Sequence, residues 1–488
     1  MVRQHYQNQR RFDLSDVANF KLNLERRDEI VPLLAGLQFL YTNPKLRLKV
    51  VKLVASDLNM NSRRDVGRKG MDDWQVVVLA AVRLGCNFDY DRLEDLVQNH
   101  RSLRQIMGIG DWEDTNGFTF RRIRDTLCQL QPITIENINL AVVKAGQEIH
   151  GTAAESIRAD SFVIETNIHY PTESSLIRDG VRKFVPICIE IANMLGVSGW
   201  RQVKHLYKKI KKLAQTIGRL AASKSRHKKD AMTSAYADLL SRCELLIRRA
   251  KLLVQTARDS TSSESVLDLA KALDQWLNLT EQVCNTAHRR VLLGEKVPNS
   301  EKLFSLFETH TQLYRRGKAG EPNQYGRMAL VYEDGGGFIS HYHLMDRDQR
   351  DPDVIVEQTK VAQSKHSGKI STASFDRGFH SAENETVLDD VVATTCIYPR
   401  NPGQYAKKIK NESVSFHRIR LKHSGVEAAI GVLQRGNGLK RCRDRGELSF
   451  ERYLGLAILG RNIQTLGKML IAMRQSSSAA GFSKRKAA

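Results

Sequence analysis

"IRADSFVIETNIHY", residues 157–170, interrupts a chain whose texture up to that point is helical. Polar and apolar residues alternate along it, and β-branched and aromatic side chains are frequent, which predicts a half-buried strand. The same alternation puts Asp160 on one face with Phe162 and Ile164. A carboxylate that shares a side with core residues is costly to bury unpaired, so a partner or a purpose is expected for it.

Upstream, "EIVPLLAGLQFLY", "LRLKVVKLVASDL", "DDWQVVVLAAVRLG" and "YDRLEDLVQNH" carry apolar residues at i, i+3, i+4 spacing and predict helices, with Asp72 or Asp73 placed to cap the third. Residues 118–129 and 135–146 predict two more, so 1–150 read as an all-α N-terminal module. The short turn "GCNFD" makes Asp72 to His100 either a helix-turn-helix or simply a packed pair of helices, and the sequence leaves both open.

Downstream, residues 185–290 turn helical again, with heptad-like runs such as "ELLIRRAKLLVQTA" and "VLDLAKALDQWLNLTEQV". Strand patterns return after Arg315: "GRMALVYED", three glycines at 335–337 and "FISHYHL" predict a hairpin. A helix over 352–363, a strand ending at Asp376, a helix over 382–388, the strand "VVATTCIYP" and a helix over 424–434 follow. The expected fold is an α+β multidomain chain whose mixed sheet lies in 151–184 and 315–447, split after its first strand by a basic helical insertion at 185–314. A C-terminal helix over 448–474 and a disordered basic tail over 475–488 complete it.

Charge narrows the partners. The chain holds 76 Lys and Arg against 54 Asp and Glu, a net +22, an excess that implies an anionic polymer. Between residues 201 and 229 stand eleven Lys or Arg, Lys208, Lys209, Lys211 and Lys212 among them, and no acid. Such a one-sided run repels itself unless something anionic lies beside it, which makes it a candidate DNA contact. No apolar run is long enough to span a membrane and the first thirty residues lack the apolar core of a secretory signal, so a soluble, cytoplasmic protein with no membrane partner is expected. The seven scattered cysteines form no C-x-x-C pair and read as reduced thiols.

Two further acids join Asp160. Asp376 is the charged end of an apolar run, and Glu427 sits one residue from the stripe Val426, Ile430, Leu433 of its helix. Carboxylates from two strands and a helix that met at one sheet edge would repel each other unless a divalent cation lay between them, and oxygen-only ligation suits Mg²⁺ or Mn²⁺. Equally, each is a separate capping or surface acid; spacing does not decide. His341 and His343 alternate on one strand but lack the further ligands that zinc needs, and His380 reads as a solvated imidazole.

Residues 160–184, "DSFVIETNIHYPTESSLIRDGVRKF", resemble the first-aspartate block of bacterial DDE-class insertion-sequence transposases, whose catalytic domain is ribonuclease-H-like. Residues 301–334, "SFDRGFHSAENETVL" and "HSGVEAAIGVLQRGNGLKRCRDRGELSFERYLGLAILGRNI" are similar to further blocks of that class in the same order, and the ISNCY group is the nearest in kind. The resemblance implies that Asp160, Asp376 and Glu427 are the catalytic triad and hold two Mg²⁺ or Mn²⁺ ions. It implies cleavage of the phosphodiester at terminal inverted repeats and in-line joining of the freed 3′-hydroxyl to target DNA. It also implies repeat recognition by the N-terminal module, a homodimer on double-stranded DNA and a bacterial, nucleoid-associated setting. Asn167, His169, Lys318 and Arg327 stand as DNA-contact candidates. Arg420 and His423 occupy slots where related families carry tyrosine and arginine, and Gln434 beside Arg435 occupies the lysine slot; Arg420, His423 and Arg435 are therefore the phosphate contacts on offer. Two other classes fit the same residues: a DNA-binding protein derived from such an element without strand chemistry, and a nuclease that cuts without joining.

Overall fold

The alternating stretch forms strand β1 (Ser156–Thr166), which ends before Pro171 rather than running through Tyr170. The computed structural model describes residues 17–24, 28–59, 70–110, 118–200, 202–260, 263–315, 322–410 and 412–486. Six further strands are β2 (Gln312–Tyr314), β3 (Gln324–Asp334), β4 (Ile339–Leu344), β5 (Thr372–Phe375), β6 (Thr394–Cys396) and β7 (Arg441–Cys442). Their hydrogen-bonded order is β2-β3-β1-β5-β6, with β4 also on β3 and β7 on β1. β1, β5 and β6 run parallel while β2, β3 and β4 are antiparallel neighbours, so the sheet is mixed, as expected.

The hairpin forms where three glycines allow it. Gly337 adopts φ 81°, and the Asp334 carboxylate accepts the backbone N–H groups of Gly336 and Phe338 across the turn. β2 and β7 are strands of three and two residues that no period-2 pattern announces.

Two compact units divide the chain: residues 1–165 with 328–488, and residues 166–327. In the first, the N-terminal helices expected as a module of their own share one core with the sheet. Leu33, Leu37, Trp74 and Val78 belong to the same buried cluster as Phe162, Ile164, Val331, Val426, Leu433, Leu456 and Ile463. The last helix, Glu447–Lys486, runs through that cluster and on past residue 474, so the stretch expected to be a disordered tail is mostly helix. Its small and Ala-rich sequence opposes helix formation only weakly. It approaches the N-terminal helices at backbone distance through glycine: a Cβ at Gly460 would stand 2.5 Å from the Gly85 backbone, and one at Gly467 would collide with the Pro32 carbonyl.

The pair of helices over Asp73–Gly85 and Tyr90–Asn99 packs into the core through its first member. Asp72 is the cap of the first, reciprocated by Gln75, and every residue of that helix other than Gln75 is buried. The second carries Asp91, Glu94 and Asp95 against a single Arg92, a poor match for phosphates.

The second unit is built from helices Glu173–Leu195, Val203–Ala222, Lys228–Ser260 and Glu264–Ala287. Helical structure starts at Glu173, capped by Thr172 and Ser175, earlier than the expected residue 185. The heptad-like runs bury Leu246, Ala250, Leu253 and Ala257 from one helix and Ala270, Leu273, Leu277 and Cys284 from another. Gly180 lets Thr280 seat against its backbone, where a Cβ would lie 2.1 Å from the hydroxyl. No helix among the described residues is long and apolar enough to cross a membrane.

Candidate active site

Parallel pairing of β1 with β5 matches Arg158 to Ser374 and Ala159 to Phe375. The next residue of β1 is Asp160, and the residue that follows the last of β5 is Asp376, so the register brings the two chain segments that carry these acids to the same end of the strand pair. In parallel strands matched residues share a face, so Arg158, Asp160, Ser374 and Asp376 lie on one side and Ala159 and Phe375 on the other. The Asp160 carboxylate accepts the Ser161 N–H at 2.7 Å and that of Asp376 accepts the Arg377 N–H at 2.7 Å. Asp376 caps the turn Arg377–Phe379, which accounts for the abrupt change of direction after β5.

Glu427 lies in the first turn of the helix Gly425–Gly436, which buries Val426, Ala429, Ile430 and Leu433 in the core that also holds Phe162 and Ile164. Just before it, His423 hydrogen-bonds through Nδ1 to Ser374 Oγ at 3.0 Å. Burial holds the His423 imidazole below its ordinary value; Asp376 and Glu427, both within electrostatic reach, pull the other way, and Arg158 adds to the lowering. Of the three sequence-predicted acids, Asp376 and Glu427 both lie within electrostatic reach of His423. Asp376 and Glu427 are exposed and Asp160 is half-buried.

One acid went unread. Asp351, at the start of the helix Asp351–Lys365, faces the Asp376 turn: a Cβ at Gly378 would stand 3.4 Å from Asp351 Oδ2 and 3.7 Å from Asp376 Oδ2. Its Oδ1 is buried without a hydrogen-bond partner. The only signal in the sequence is an Asp before Pro352, which reads as an ordinary helix start.

The donor chemistry of Asp160, Asp376 and Glu427, oxygen only, suits Mg²⁺ or Mn²⁺. As they stand, however, no group of three or more His, Cys, Asp or Glu side chains among the described residues is close enough together to hold a metal ion. His341 is no ligand. Its Nε2 meets Gln358 Oε1 at 2.9 Å, its Nδ1 accepts from Lys365 Nζ at 2.7 Å, and burial drives its pKa down to about 3.

Helices Pro402–Lys410 and Val414–His423, neither of them expected, form a basic arm before the Glu427 helix. Arg400 donates to the carbonyls of Arg377 and Gly378, and the Arg377 guanidinium lies 5.0 Å from the Tyr405 ring, so the arm is docked on the Asp376 turn. Lys407, Lys410, Arg418 and Lys422 are exposed and make no ion pair among the described residues. Arg420 is not such a free cation: it pairs with the buried Glu412 at 3.2 Å and contacts His417 at 2.9 Å. His423 faces the strand rather than solvent. Arg435 is exposed, its Nε bonded to the Gly431 carbonyl. His380 pairs with Glu385 at 3.0 Å and is mostly covered, not a solvated imidazole.

In the helical unit, Lys208, Lys209, Lys211 and Lys212 project from the exposed face of Val203–Ala222, whose other side buries Ile210, Ala214 and Ile217. None of the four pairs with a carboxylate among the described residues. Asn167 is exposed, and His169 lies 3.5 Å from the buried Asp179. Arg327 is 3% exposed within β3, which removes it from the surface phosphate contacts. Lys318 lies outside the described residues. All seven cysteines are free thiols and only Cys128 is exposed.

Compared with known proteins, the chain matches no family model, no curated protein and no solved structure.

Proposed function

We propose that this chain is a DNA transposase of the DDE class with a ribonuclease-H-like catalytic domain, resembling the ISNCY group. The observation that carries the reading is the register of β1 and β5, whose last matched pair, Ala159 and Phe375, immediately precedes Asp160 and Asp376 in the chain. The strand order supports it too: a hairpin on one side of β1, two parallel strands on the other, and a basic helical unit between the first strand and the hairpin.

Asp160, Asp376 and Glu427 are the residues that would hold two Mg²⁺ or Mn²⁺ ions. When bound, such ions would neutralise the phosphodiester and make water and then a 3′-hydroxyl competent to attack in line. The chain's own share is binding and orientation. Lys407, Lys410, Arg418 and Lys422 in the arm docked on the Asp376 turn, and Lys208, Lys209, Lys211 and Lys212 in the helical unit, offer phosphate contacts to the terminal repeats and target DNA. Joining two element ends in one event calls for a homodimer on DNA.

Mg²⁺-dependent nicking of a duplex taken from the gene's flanking inverted repeats tests the reading. Asp160→Asn should abolish nicking; equal cutting by wild type and variant sinks the assignment. One observation favours a second reading, a DNA-binding protein of the same descent without strand chemistry: the three acids are not gathered tightly enough to hold a metal as they stand. A wild type that binds the duplex and never nicks it would establish that alternative. A nuclease that cuts without joining would be recognised by nicking with no strand-transfer product.

A further inference from the structure

Two residues before Asp160, on the same face of β1, the Arg158 side chain reaches across the sheet to the segment that leads into the Glu427 helix. Its Nε–H donates to Glu333 Oε2 at 2.6 Å, and Glu333 is a fixed anchor, only 4% exposed within the neighbouring strand. Its Nη1–H donates to the Lys422 carbonyl at 2.8 Å. That carbonyl, which also accepts the Ser424 N–H, belongs to the last turn of Val414–His423 and sits at the negative end of its dipole.

The chain then passes directly over the guanidinium. A Cβ on Gly425 would stand 2.2 Å from Arg158 Nη1 and 2.4 Å from its Cζ. Residue 425 has helical backbone here, so glycine is needed for room and not for an unusual φ. A second tether, His423 Nδ1 to Ser374 Oγ, holds the same segment to β5. Sheet, arm and acid-bearing helix therefore meet on one planar, two-pronged cation.

We propose that Arg158 is a positioning residue: braced by Glu333, it clamps residues 422–425 and so fixes Glu427 relative to Asp160 and Asp376, and Gly425 is the space that the clamp requires. The role rests on the transposase reading above, in which those three acids act together. Lysine cannot replace the arginine, because a single ammonium on a flexible stem does not present two divergent N–H groups in one plane.

Two variants test it in the full chain. Arg158→Lys keeps a cation beside Glu333, so the buried carboxylate is not stranded and the fold is preserved. Gly425→Ala keeps both charges and only fills the space. Amide hydrogen exchange without DNA or metal should speed up at least tenfold over residues 420–428 in each variant, while residues 156–160 and 372–375 exchange as in wild type. The Mg²⁺ concentration for half-maximal nicking should rise at least tenfold, with duplex affinity changed less than twofold. Exchange over 420–428 within twofold of wild type in both variants overturns the clamp. Faster exchange with an unchanged Mg²⁺ requirement overturns the positioning role and leaves Arg158 a packing residue. A wild type that never nicks, with exchange responding as expected, overturns the transposase reading and upholds the clamp.

Discussion

Two polar regions sit on the same unit, and they are built in opposite ways. Around His341, polar groups are sealed and matched. Lys365 donates to His341 and pairs with Glu136, His341 reaches Gln358, and Gln147 bridges Asp334 and His366. At the other site, Asp160 and Asp376 accept local backbone N–H groups, Glu427 faces solvent, and the arm docked on the Asp376 turn carries exposed cations. Matched polar groups inside a fold secure the structure, whereas exposed acids without a cationic partner add nothing to it and become useful when something cationic arrives. Polarity in a sheet is thus no sign of function until the partners are counted.

The sharpest way to break this contrast is to exchange the two regions' phenotypes. Asp160→Asn, Asp376→Asn or Glu427→Gln should each lower Mg²⁺-dependent nicking on the order of 10²-fold or more, the scale of losing one electrostatic element of an active site. The melting temperature of Asp376→Asn without metal should equal or exceed that of wild type, because a like-charge neighbour is removed. A fall of several degrees would instead make Asp376 a structural acid.

Lys365→Ala should do the reverse. Glu136 and His341 both lose their donor, a cost of about 1–3 kcal/mol in denaturant unfolding, with nicking at saturating Mg²⁺ unchanged. A nicking defect that exceeds the stability loss would draw the sealed network into function.

The sealed region also sets an acid limit. Burial holds His341 down to about 3 and His366 down to about 4, so both contribute stability that is fully present above their unfolded value of 6.5 and is lost as pH falls toward the folded values. Asp334 opposes them. Burial raises it to about 6, so its contribution is complete below 3.8 and is lost as pH rises through 6. Two histidines outweigh one carboxyl, and unfolding free energy should decline from pH 6.5 to pH 4 by roughly 1 kcal/mol per pH unit. His341→Gln should flatten that slope; a steeper one would refute the assignment.

The smallest effect is the most diagnostic of the partner. Replacing Lys208, Lys209, Lys211 or Lys212 by Ala should reduce the slope of log affinity against log salt by roughly 0.9 for every phosphate that the lysine neutralises, with stability unaffected. A slope that does not move places the DNA elsewhere, and the arm residues Lys407, Lys410, Arg418 and Lys422 become the next set to replace.

Much of the sheet could be read beforehand, because period-2 alternation and Gly335–Gly337 are local signals. The acids were legible as charged residues in apolar runs, yet their meeting depends on a parallel register that no local pattern encodes. The basic arm was missed for a physical reason: Pro402–Lys410 and Val414–His423 bury no residue, so they carry no apolar stripe. The helix-turn-helix question could not be settled from spacing, since a reading helix and a packed one share the same periodicity; what the fold adds is the burial of Asp73–Gly85 and the acids on its neighbour. Arg158 carries no local signal of its contacts in the sequence, and they appear only when Gly425 is brought over it.

The glycine contacts of the last helix bear on how the protein is made. Gln464 donates to the carbonyls of Glu29 and Gly85, and Gly460 and Gly467 lie against helices that leave the ribosome long before them. Until translation passes Leu466, Leu33 and Leu37 can close only upon their N-terminal neighbours, such as Gly85, and one side of the cluster stays open. Those early helices must therefore wait for a late one, and a prematurely terminated product would expose their apolar face to chaperones and proteases.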